Sequence, residues 1–352
     1  MNGRVSRIAV VTSSPPMTEG GHMVIARELV QALLDAGHHA EVIVTPQNRF
    51  GRQASAYIAN WMTDVGSTEG RRIDQVISLR YPSFAVRHER HVCWLNHTMR
   101  EYYDQWNRFS SSLSARGLLK ERVRRTLIHA ADRYLLTKNV DKLFVQSRTV
   151  QDRFVTWPEL KSTVLYPPAP RRPYRCDGYG DYILWVSRLT ALKRADLLIA
   201  ALATAEGAGV KAVIAGEGED RSRLEELVAW HGLQDRVVLS GRLDDEALVT
   251  HLAACRAVCF PPLQEDYGFV TVEAFAARKA VVTCSDSGGP AELVQDGVNG
   301  FVCQPTPPSL ASALRRLWDE PGLAERLGTA AFESGSKLNW PDTVRALTSY
   351  TG

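Results

Sequence analysis

The stretch AVCFPPLQEDYGFVTVEAFAARKAVVTCS, residues 257–285, contains a strand, a loop, a helix and a second strand. AVCF and AVVTCS are short apolar runs of the kind that form buried strands, and FVTVEAFAAR between them has the composition of a helix. Pro261 and Pro262 end the first run, because proline cannot pair inside a sheet. This order predicts a βαβ unit of a parallel sheet.

The same alternation covers the rest of the chain. In the second half, runs such as YILWV and KAVIAG alternate with helix-like segments such as ADLLIAALATA and DRSRLEELVAWHG. The first half runs from RIAVVTSS through a polar loop ending in Gly20-Gly21 and a helix-like segment to AEVIVTP. We therefore expect an α/β protein with two doubly wound parallel sheets in tandem, each with helices on both faces.

A Pro-rich stretch, YPPAPRRPYRCDGYG at 166–180, separates the two halves of the 352-residue chain. Proline disfavours regular pairing and restricts its neighbours, so this stretch is interpreted as an interdomain linker. We expect a first Rossmann-like domain over 1–170 and a second over 171–335. The C-terminal segment, 336–352, is expected to pack back on the first domain.

The composition disfavours several classes of protein. No apolar run approaches the ~20 residues that span a bilayer, and the first apolar run is too short for the core of a signal peptide. Six scattered cysteines form no C-x-x-C pair, so we expect buried thiols in a reducing compartment rather than a zinc or disulfide framework. The expected location is cytoplasmic, and no nucleic-acid partner is expected.

Unusual polar residues of the second half fall in loops that follow strands, where doubly wound sheets bind ligands. Arg188 and Lys193 share one such loop. A guanidinium and an ammonium together suit a diphosphate, and two solvated surface cations are the alternative.

Two glutamates surround the next helix start. Glu265 lies in the loop, and Glu273 lies one to two turns into the helix. A carboxylate accepts two hydrogen bonds side by side, which suits the vicinal hydroxyls of a sugar. The free N–H groups of Gly268, Phe269 and Val270 at the positive end of the helix suit phosphate or sugar oxygens. With the two cations, these groups favour a nucleotide-sugar site.

Cofactor motifs are incomplete in this chain. AGEGED at 215–220 would need glycine at position 221 to complete G-x-G-x-x-G, and Arg221 stands there. A nicotinamide or flavin enzyme is therefore disfavoured. No D-x-D cluster is present. We expect neither a cofactor nor a metal.

Dense motifs over about residues 181–320 carry a family resemblance. They are S-R-L-x-x-x-K, G-x-G-x-D, V-x-L-S-G-R-L-D-D, E-D-Y-G-F-x-x-x-E-A-F and S-G-G-P-A-E-L-V-x-D-G-x-N-G-F. This region resembles the nucleotide-sugar domain of the retaining glycosyltransferases of family 4. That family has the GT-B fold, in which two Rossmann-like domains face a central cleft. The first half is matched more thinly, through Gly20-Gly21, AGHHAEV and CWLNHT.

The resemblance implies a role for each candidate residue. Glu273 would bind the ribose hydroxyls, and Glu265 with the 268–270 backbone would bind the donor sugar. Leu243, in the SGRL run, would lie near the base. Gly21 and His97 would face the reacting centre, and the alternative for His97 is a strand-end residue bonded to backbone. The donor-binding set is Gly20, Gly21, Arg188, Lys193, Leu243, Glu265, Gly268, Phe269, Val270 and Glu273, and the catalytic set is His97, Arg188, Lys193 and Glu265.

The chain departs from the family pattern at three places. The family usually has glycine where Ser187 and Arg194 stand, and P-N-G where Y-P-P stands at 166–168. Because the charged groups remain, we expect these departures to affect loop shape more than chemistry.

The resemblance implies a hexosyl- or related glycosyltransferase (EC 2.4). It would move a sugar from a nucleoside-diphosphate sugar to an acceptor hydroxyl, with retention and without a metal. A nucleotide-sugar epimerase or a phosphorylase of similar architecture is an alternative, and so is a non-catalytic nucleotide-sugar-binding protein. The acceptor is expected to be a sugar, a glycolipid or a small molecule.

The charge of the two halves bears on the acceptor. Residues 1–175 contain 26 Lys and Arg against 15 Asp and Glu, whereas 176–352 contain 16 against 24. A basic first domain would attract an acidic acceptor or an anionic membrane face. Segment 116–127 is both basic and apolar, so we hypothesise peripheral contact with the inner face of the membrane, and a solvated helix face is the alternative. Its residues are Arg116, Leu118, Leu119, Lys120, Arg122, Val123, Arg124, Arg125 and Leu127.

Overall fold

The computed structural model describes residues 5–15, 20–47, 51–68 and 70–349. The chain forms two compact units, Met1–Pro167 with Trp340–Gly352, and Pro168–Asn339. The boundaries expected from the sequence are 170 and 335.

A six-stranded parallel sheet forms the centre of the first unit, in the order β2-β1-β5-β6-β7-β8. The inner strands β1, β5, β6 and β7 are mostly buried, as the sequence predicts, whereas the edge strands β2 and β8 are largely exposed or half-buried. A two-stranded antiparallel hairpin, β3–β4, lies apart from this sheet. The strands are β1 (Arg7–Ser14), β2 (His39–Pro46), β3 (Ser67–Thr68), β4 (Arg71–Arg72), β5 (Gln75–Ser78), β6 (His91–Leu95), β7 (Lys142–Val145) and β8 (Ser162–Val164).

Helices connect these strands. α1 buries Ile25, Leu29 and Leu33, which recur every four residues along one face of the helix. α4 begins after Ser114, whose hydroxyl accepts a hydrogen bond from the Gly117 N–H and so caps the helix. The helices are α1 (Gly21–Asp35), α2 (Gln53–Met62), α3 (Trp106–Ser111), α4 (Ala115–Lys138) and α5 (Arg148–Gln151), with 3-10 turns at Ser83–Ala85, Arg100–Tyr102 and Asp152–Phe154.

The second unit also has a six-stranded parallel sheet, in the order β11-β10-β9-β12-β13-β14. In chain order this is 3-2-1-4-5-6, the strand order of dinucleotide-binding folds. The strands are β9 (Ile183–Val186), β10 (Ala212–Ala215), β11 (Val237–Gly241), β12 (Ala257–Cys259), β13 (Val281–Cys284) and β14 (Gly300–Cys303). The helices are α6 (Ala195–Leu202), α7 (Arg221–Trp230), α8 (Asp245–Ala254), α9 (Phe269–Ala276), α10 (Gly289–Leu293), α11 (Pro307–Asp319) and α12 (Pro321–Ser336), with a 3-10 turn at Ala191–Lys193.

Apolar side chains cover both faces of this second sheet. Along β9, Ile183 and Trp185 pack into one hydrophobic cluster, and Leu184 between them packs into the other. Successive side chains of a strand point to opposite faces, so this strand is buried on both sides. Central β9 is therefore a rigid base for the loop that follows it.

The last helix, α13 (Trp340–Thr348), belongs to the first unit. The ring of Trp340 lies edge-on to Trp94 of β6, with 6.3 Å between centroids. The Gln75 side chain of β5 donates to the Leu347 carbonyl at 2.7 Å. Among the helices in the described part of the chain, none combines the length and apolar composition needed to cross a membrane.

Candidate functional site

The loops of the second unit that carry the candidate residues lie at the point where the strand order reverses. β9 pairs with β10 on one side and with β12 on the other. The chain leaves β9 at Val186 and β12 at Cys259, at the same carboxyl edge of the sheet. In doubly wound sheets the ligand crevice lies at this reversal.

Lys193 and Glu265 join these two loops. The ammonium of Lys193 donates to Oε2 of Glu265 at 2.5 Å, and the two side chains are 13% and 21% exposed. The same ammonium lies 5.7 Å from the centre of the Phe260 ring. Two residues predicted to act together, 72 positions apart, therefore meet.

Backbone bonds fix the segment that carries Glu265. The Gln264 N–H donates to the Asp286 carbonyl at 2.9 Å, and the Glu265 N–H donates to the Ser287 carbonyl at 2.8 Å. In return the Glu265 carbonyl accepts from the Gly289 N–H at 2.9 Å. The loop after β12 is thus paired with the loop after β13, which contains the S-G-G motif.

Arg188 lies in the loop after β9 and is exposed. With the described residues its guanidinium forms no hydrogen bond or ion pair. The loop itself is fixed, because the Leu189 N–H donates to the Glu217 carbonyl at 2.8 Å. A Cβ on Gly216 would lie 1.8 Å from the Ser187 carbonyl oxygen, so only glycine allows this approach. The AGEG segment therefore supports the Arg188 loop.

Helix α9 begins where the sequence predicts. Gly268 precedes it with φ 81°, and a Cβ there would lie 2.9 Å from both Phe260 and Pro290. In the part of the chain that the structure describes, no side chain caps this helix start. The N–H groups of Phe269 and Val270 therefore lie at the positive end of the helix dipole, where an anion or a sugar oxygen is favoured.

Glu273 is buried within the same helix, and its partners were not foreseen. Oε1 accepts from the Arg172 guanidinium, and also from the Tyr174 hydroxyl at 3.3 Å. Burial raises the pKa of Glu273, and the adjacent Arg172 opposes that rise only in part. Arg172 and Tyr174 lie in the Pro-rich stretch interpreted as a linker, so part of that stretch belongs to the site.

Leu243 lies in the loop between β11 and α8 and is half-buried. Asp244 of this loop caps α8, accepting from the Ala247 N–H at 2.8 Å. Asp245 pairs with Arg172 at 2.9 Å, so the same guanidinium connects this loop to the helix of Glu273.

The first-unit candidates lie past the carboxyl ends of β1 and β6. Gly20 has extended backbone and Gly21 begins α1, so neither adopts a conformation that requires glycine at this site. His97 is half-buried, and its carbonyl accepts from the Tyr81 N–H at 3.1 Å. Sequence reasoning did not single out His22, whose Nε2 lies 3.0 Å from the Ser14 hydroxyl.

Within the ranges that the structure describes, no group of three His, Cys, Asp or Glu side chains is placed to bind a metal ion. The six cysteines are unpaired, and all except half-buried Cys176 are buried. Burial raises the pKa of the Cys255 thiol to about 12. The prediction of buried, non-disulfide thiols is confirmed for five of the six.

Comparison with known proteins agrees with this geometry. Residues 171–334 match the model of the family described as glycosyl transferases group 1. Alpha-D-kanosaminyltransferase of Streptomyces kanamyceticus is 35% identical over 168 residues, 46% of this chain and 43% of that protein. D-inositol 3-phosphate glycosyltransferase of Streptomyces griseus is 32% identical over 178 residues, 47% and 37% respectively. The chain thus matches less than half the length of these relatives.

Solved structures match over nearly the whole chain. Sucrose-phosphate synthase of Thermosynechococcus elongatus has a TM-score of 0.77 at 18% identity, covering 97% of both chains. HepE of Anabaena, in complex with UDP and glucose, has a TM-score of 0.69 at 19% identity, covering 96% and 97%. At this identity the likeness shows the fold alone, which is GT-B. Residues 171–334, which form nearly all of the second unit, therefore resemble the glycosyl transferases group 1.

Proposed function

We propose that this protein is a retaining glycosyltransferase of family 4 that uses a nucleoside-diphosphate sugar as donor and needs no divalent metal. The observation that carries the proposal is the convergence of Lys193, Glu265 and the start of α9 at the reversal point of the second sheet. Relatives named as glycosyltransferases, and HepE solved with UDP and glucose, support a nucleotide-sugar donor.

The chemistry of the leaving group explains the cations. When the bond from the anomeric carbon to the diphosphate oxygen breaks, negative charge grows on that oxygen and positive charge grows on the sugar ring. Fixed donors aimed at the leaving oxygen lower the barrier because they need no reorganisation during the reaction. An ammonium has three N–H donors, and Glu265 engages one of those of Lys193. We assign the others, with Arg188, to phosphate oxygens.

The other contacts to the nucleotide sugar are assigned from the chemistry of each protein group. Glu273 uses Oε1 for Arg172 and Tyr174, and we assign its Oε2 to the ribose hydroxyls. The N–H groups at the start of α9, together with Glu265, are assigned to the donor sugar. Leu243 is assigned to the base.

For retention we favour a front-face route, in which a leaving diphosphate oxygen removes the proton of the acceptor hydroxyl. The new bond then forms on the face from which the diphosphate departs, so the anomeric configuration is kept. No protein nucleophile is required. Gly20, Gly21 and His97 stay predictions for the contribution of the first unit.

The first unit carries a surface that suits an amphipathic acceptor. A cavity of about 840 Å³ lies between α2 and α4. Apolar side chains such as Ile58, Leu127 and Leu135 line it, and Arg52 and Lys120 add positive charge. We propose a glycolipid acceptor, whose apolar chain suits the walls and whose anionic group suits the cations.

Peripheral membrane contact through 116–127 belongs to the same proposal. Leu119, Val123 and Leu127 recur every four residues along α4 and are 67%, 56% and 65% exposed. The basic residues of this segment differ in exposure and in partners. Arg116, Lys120 and Arg122 are exposed, whereas Arg124 pairs with Glu121 and Arg125 donates to the Tyr102 carbonyl. The exposed set favours the anionic inner face of a membrane.

Two alternatives remain testable. An epimerase would change the nucleotide sugar itself and would need no acceptor. A non-catalytic binding protein would bind the donor without turnover. The Lys193–Glu265 pair at the expected leaving-group position favours transfer over both.

A panel of nucleotide sugars, beginning with UDP-glucose, tests the proposal. Each would be screened by thermal shift, since a ligand at 100 times its Kd adds ~2.7 kcal/mol of stability. Any donor that binds would then be incubated with membrane lipid extracts, and products would be identified by mass spectrometry and by the anomeric coupling in NMR. Binding without transfer supports the alternative of a non-catalytic binding protein. Conversion of the nucleotide sugar to an isomer supports the alternative of an epimerase.

A further inference from the structure

Arg194 follows Lys193 directly and has an unusual backbone conformation. Its φ and ψ are 51° and 44°, in the left-handed region that glycine adopts without steric cost. It also occupies the cap position of α6 without capping that helix through its side chain. The contacts of the Arg194 side chain offset this backbone cost.

The guanidinium of Arg194 forms four hydrogen bonds to the loops after β12 and β13. Nε donates to the Pro261 carbonyl at 2.6 Å, and Nη2 donates to the Pro262 carbonyl at 2.7 Å. Both Nη atoms also donate to the Asp286 carboxylate, at 2.8 Å and 2.6 Å. Since neither proline carbonyl belongs to a strand or helix, the guanidinium supplies their hydrogen bonds.

These bonds join the three loops of the candidate site. Arg194 itself lies in the loop after β9, Pro261 and Pro262 lead directly to Glu265, and Asp286 opens the segment that pairs with Glu265. The Arg194 side chain is 16% exposed, so its charged bonds are partly shielded from water. Only the planar fork of arginine serves two carbonyls and a carboxylate at once.

We propose that Arg194 is a positioning residue, which fixes the loop of Glu265 against the loops of Lys193 and Asp286. It acts through Glu265 and Lys193 rather than on the substrate. The inference rests on the proposed function for its effect on rate, whereas its effect on the loops can be measured without any ligand.

The first measurement is hydrogen exchange in the ligand-free protein. The amides of Leu263, Gln264 and Glu265 donate to loop carbonyls, and they report how firmly the loop is held. In Arg194→Gly these amides should exchange about tenfold faster, because charge-assisted hydrogen bonds are worth at least that factor. Arg278→Gly is the matched control, since Arg278 also has positive φ (56°) and is exposed at the end of α9.

The second measurement is steady-state sugar transfer. We expect Arg194→Gly to lower kcat/KM about 10- to 100-fold, mainly through kcat, because a small displacement of reacting groups costs that much. Arg194→Lys should recover part of the loss, since it keeps the charge but loses the fork. Asp286→Asn should resemble Arg194→Lys, and Arg278→Gly should equal the wild type.

The outcomes separate the inference from the proposed function. Unchanged exchange at 263–265 in Arg194→Gly overturns the positioning role, whatever the enzyme does. Equal kcat/KM in Arg194→Gly and wild type, with both folded, overturns it as well. Faster exchange in Arg194→Gly, together with no transfer by the wild type, supports the loop contact and counts against the proposed function alone.

Discussion

The ammonium of Lys193 donates to the Glu265 carboxylate at 2.5 Å and so closes the gap between the loops after β9 and β12. The pair is mostly buried, and it lies where the strand order of the second sheet reverses. A lysine held by one bond keeps N–H groups available for a ligand at a defined position. The arrangement therefore holds a positive charge at a fixed position before any substrate binds.

Removing that cation should affect transfer far more than folding. We predict that Lys193→Ala lowers kcat by ~10² to 10³, the cost of losing one fixed donor to a developing oxyanion. Glu265→Gln should also lower kcat, because it frees the ammonium and removes a proposed sugar contact. Steady-state transfer with the identified donor provides the measurement.

Lys211→Ala is the control for Lys193→Ala. Lys211 pairs with Asp181 at 2.7 Å in the same unit, and both side chains are more than half exposed. Such a surface pair contributes ~1 kcal/mol or less, so transfer should be unchanged. Equal activity of Lys193→Ala and Lys211→Ala would remove Lys193 from the mechanism.

The proposed binding of Glu273 to the ribose hydroxyls can be tested by nucleotide affinity. We predict that Glu273→Gln weakens nucleotide binding about tenfold or more, since it loses hydrogen bonds to a charged group. Wild-type protein should prefer a ribonucleoside diphosphate to its 2′,3′-dideoxy form, and the variant should lose that preference. Calorimetric titration with both nucleotides measures the difference.

Glu273→Gln should also lower the melting temperature. Among the described residues, the variant leaves the mostly buried Arg172 with the exposed Asp245 as its ionic partner, and breaking a buried ion pair costs ~3 kcal/mol or more. Glu225→Gln, which breaks an exposed pair with Arg221, is the control and should melt as wild type. A variant that keeps the ribose preference of the wild type would contradict the assigned role.

Metal independence makes a separate prediction. Since Lys193, Arg188 and the start of α9 are proposed to supply the positive charge, protein dialysed against EDTA should transfer sugar at the wild-type rate. Calcium-saturated EDTA is the control for effects of the chelator other than metal removal. Lost activity that Mg²⁺ or Mn²⁺ restores would show that the proposal lacks an essential component.

Much of the fold could be predicted because parallel sheets are buried on both faces. Strands such as β9, β10 and β12 are short apolar runs, which the sequence displays directly. Two edge strands, β8 and β14, were not predicted. β14 begins with Gly300, and β8 begins with Ser162 and Thr163, so neither is a continuous apolar run.

Site residues that directly follow a strand could be predicted from the sequence. Residues that join the site through contacts between positions far apart in the sequence could not. Glu265 and Lys193 were found because both follow strands. Arg172 was missed, since its bond to Glu273 joins positions 101 apart and its segment has the composition of a linker. Arg194 was noted only as a departure in loop shape, because no local pattern shows where its guanidinium points.

The exposed apolar and basic residues of α4 predict salt-dependent membrane binding. Wild-type protein should sediment with phosphatidylglycerol vesicles at low salt and less at high salt, as charges are screened. Leu127→Asp should reduce binding about tenfold, because inserting a leucine side chain is worth ~1.5 kcal/mol or more. Val155→Asp, at a position 80% exposed in the same unit, is the control. Absence of sedimentation by the wild type at low salt would reject membrane contact.

The buried Asp132 predicts how the stability of the first unit depends on pH. Asp132 accepts from the Tyr57 hydroxyl, and from the Tyr103 hydroxyl at 2.5 Å. Burial raises the pKa of this carboxyl to about 7, and the tyrosine bonds oppose the rise only in part. A raised pKa means that the folded state favours the proton. Proton binding by Asp132 therefore stabilises the folded state. This stabilisation is complete below the pKa of ~3.9 that the carboxyl has in the unfolded state, and it is lost as the pH rises through about 7.

Asp132→Asn cannot ionise and should lack this pH dependence. Between pH 5 and 7 the wild type should lose stability relative to the variant by up to ~1.4 kcal/mol per pH unit, and above pH 8 the difference should be constant. Melting temperatures across this range measure it, with exposed Asp64→Asn as the control. His91, whose pKa burial lowers to about 4, acts in the opposite direction but cancels in the comparison. A melting difference independent of pH would mean that Asp132 is ionised throughout, with the two tyrosines stabilising its charge.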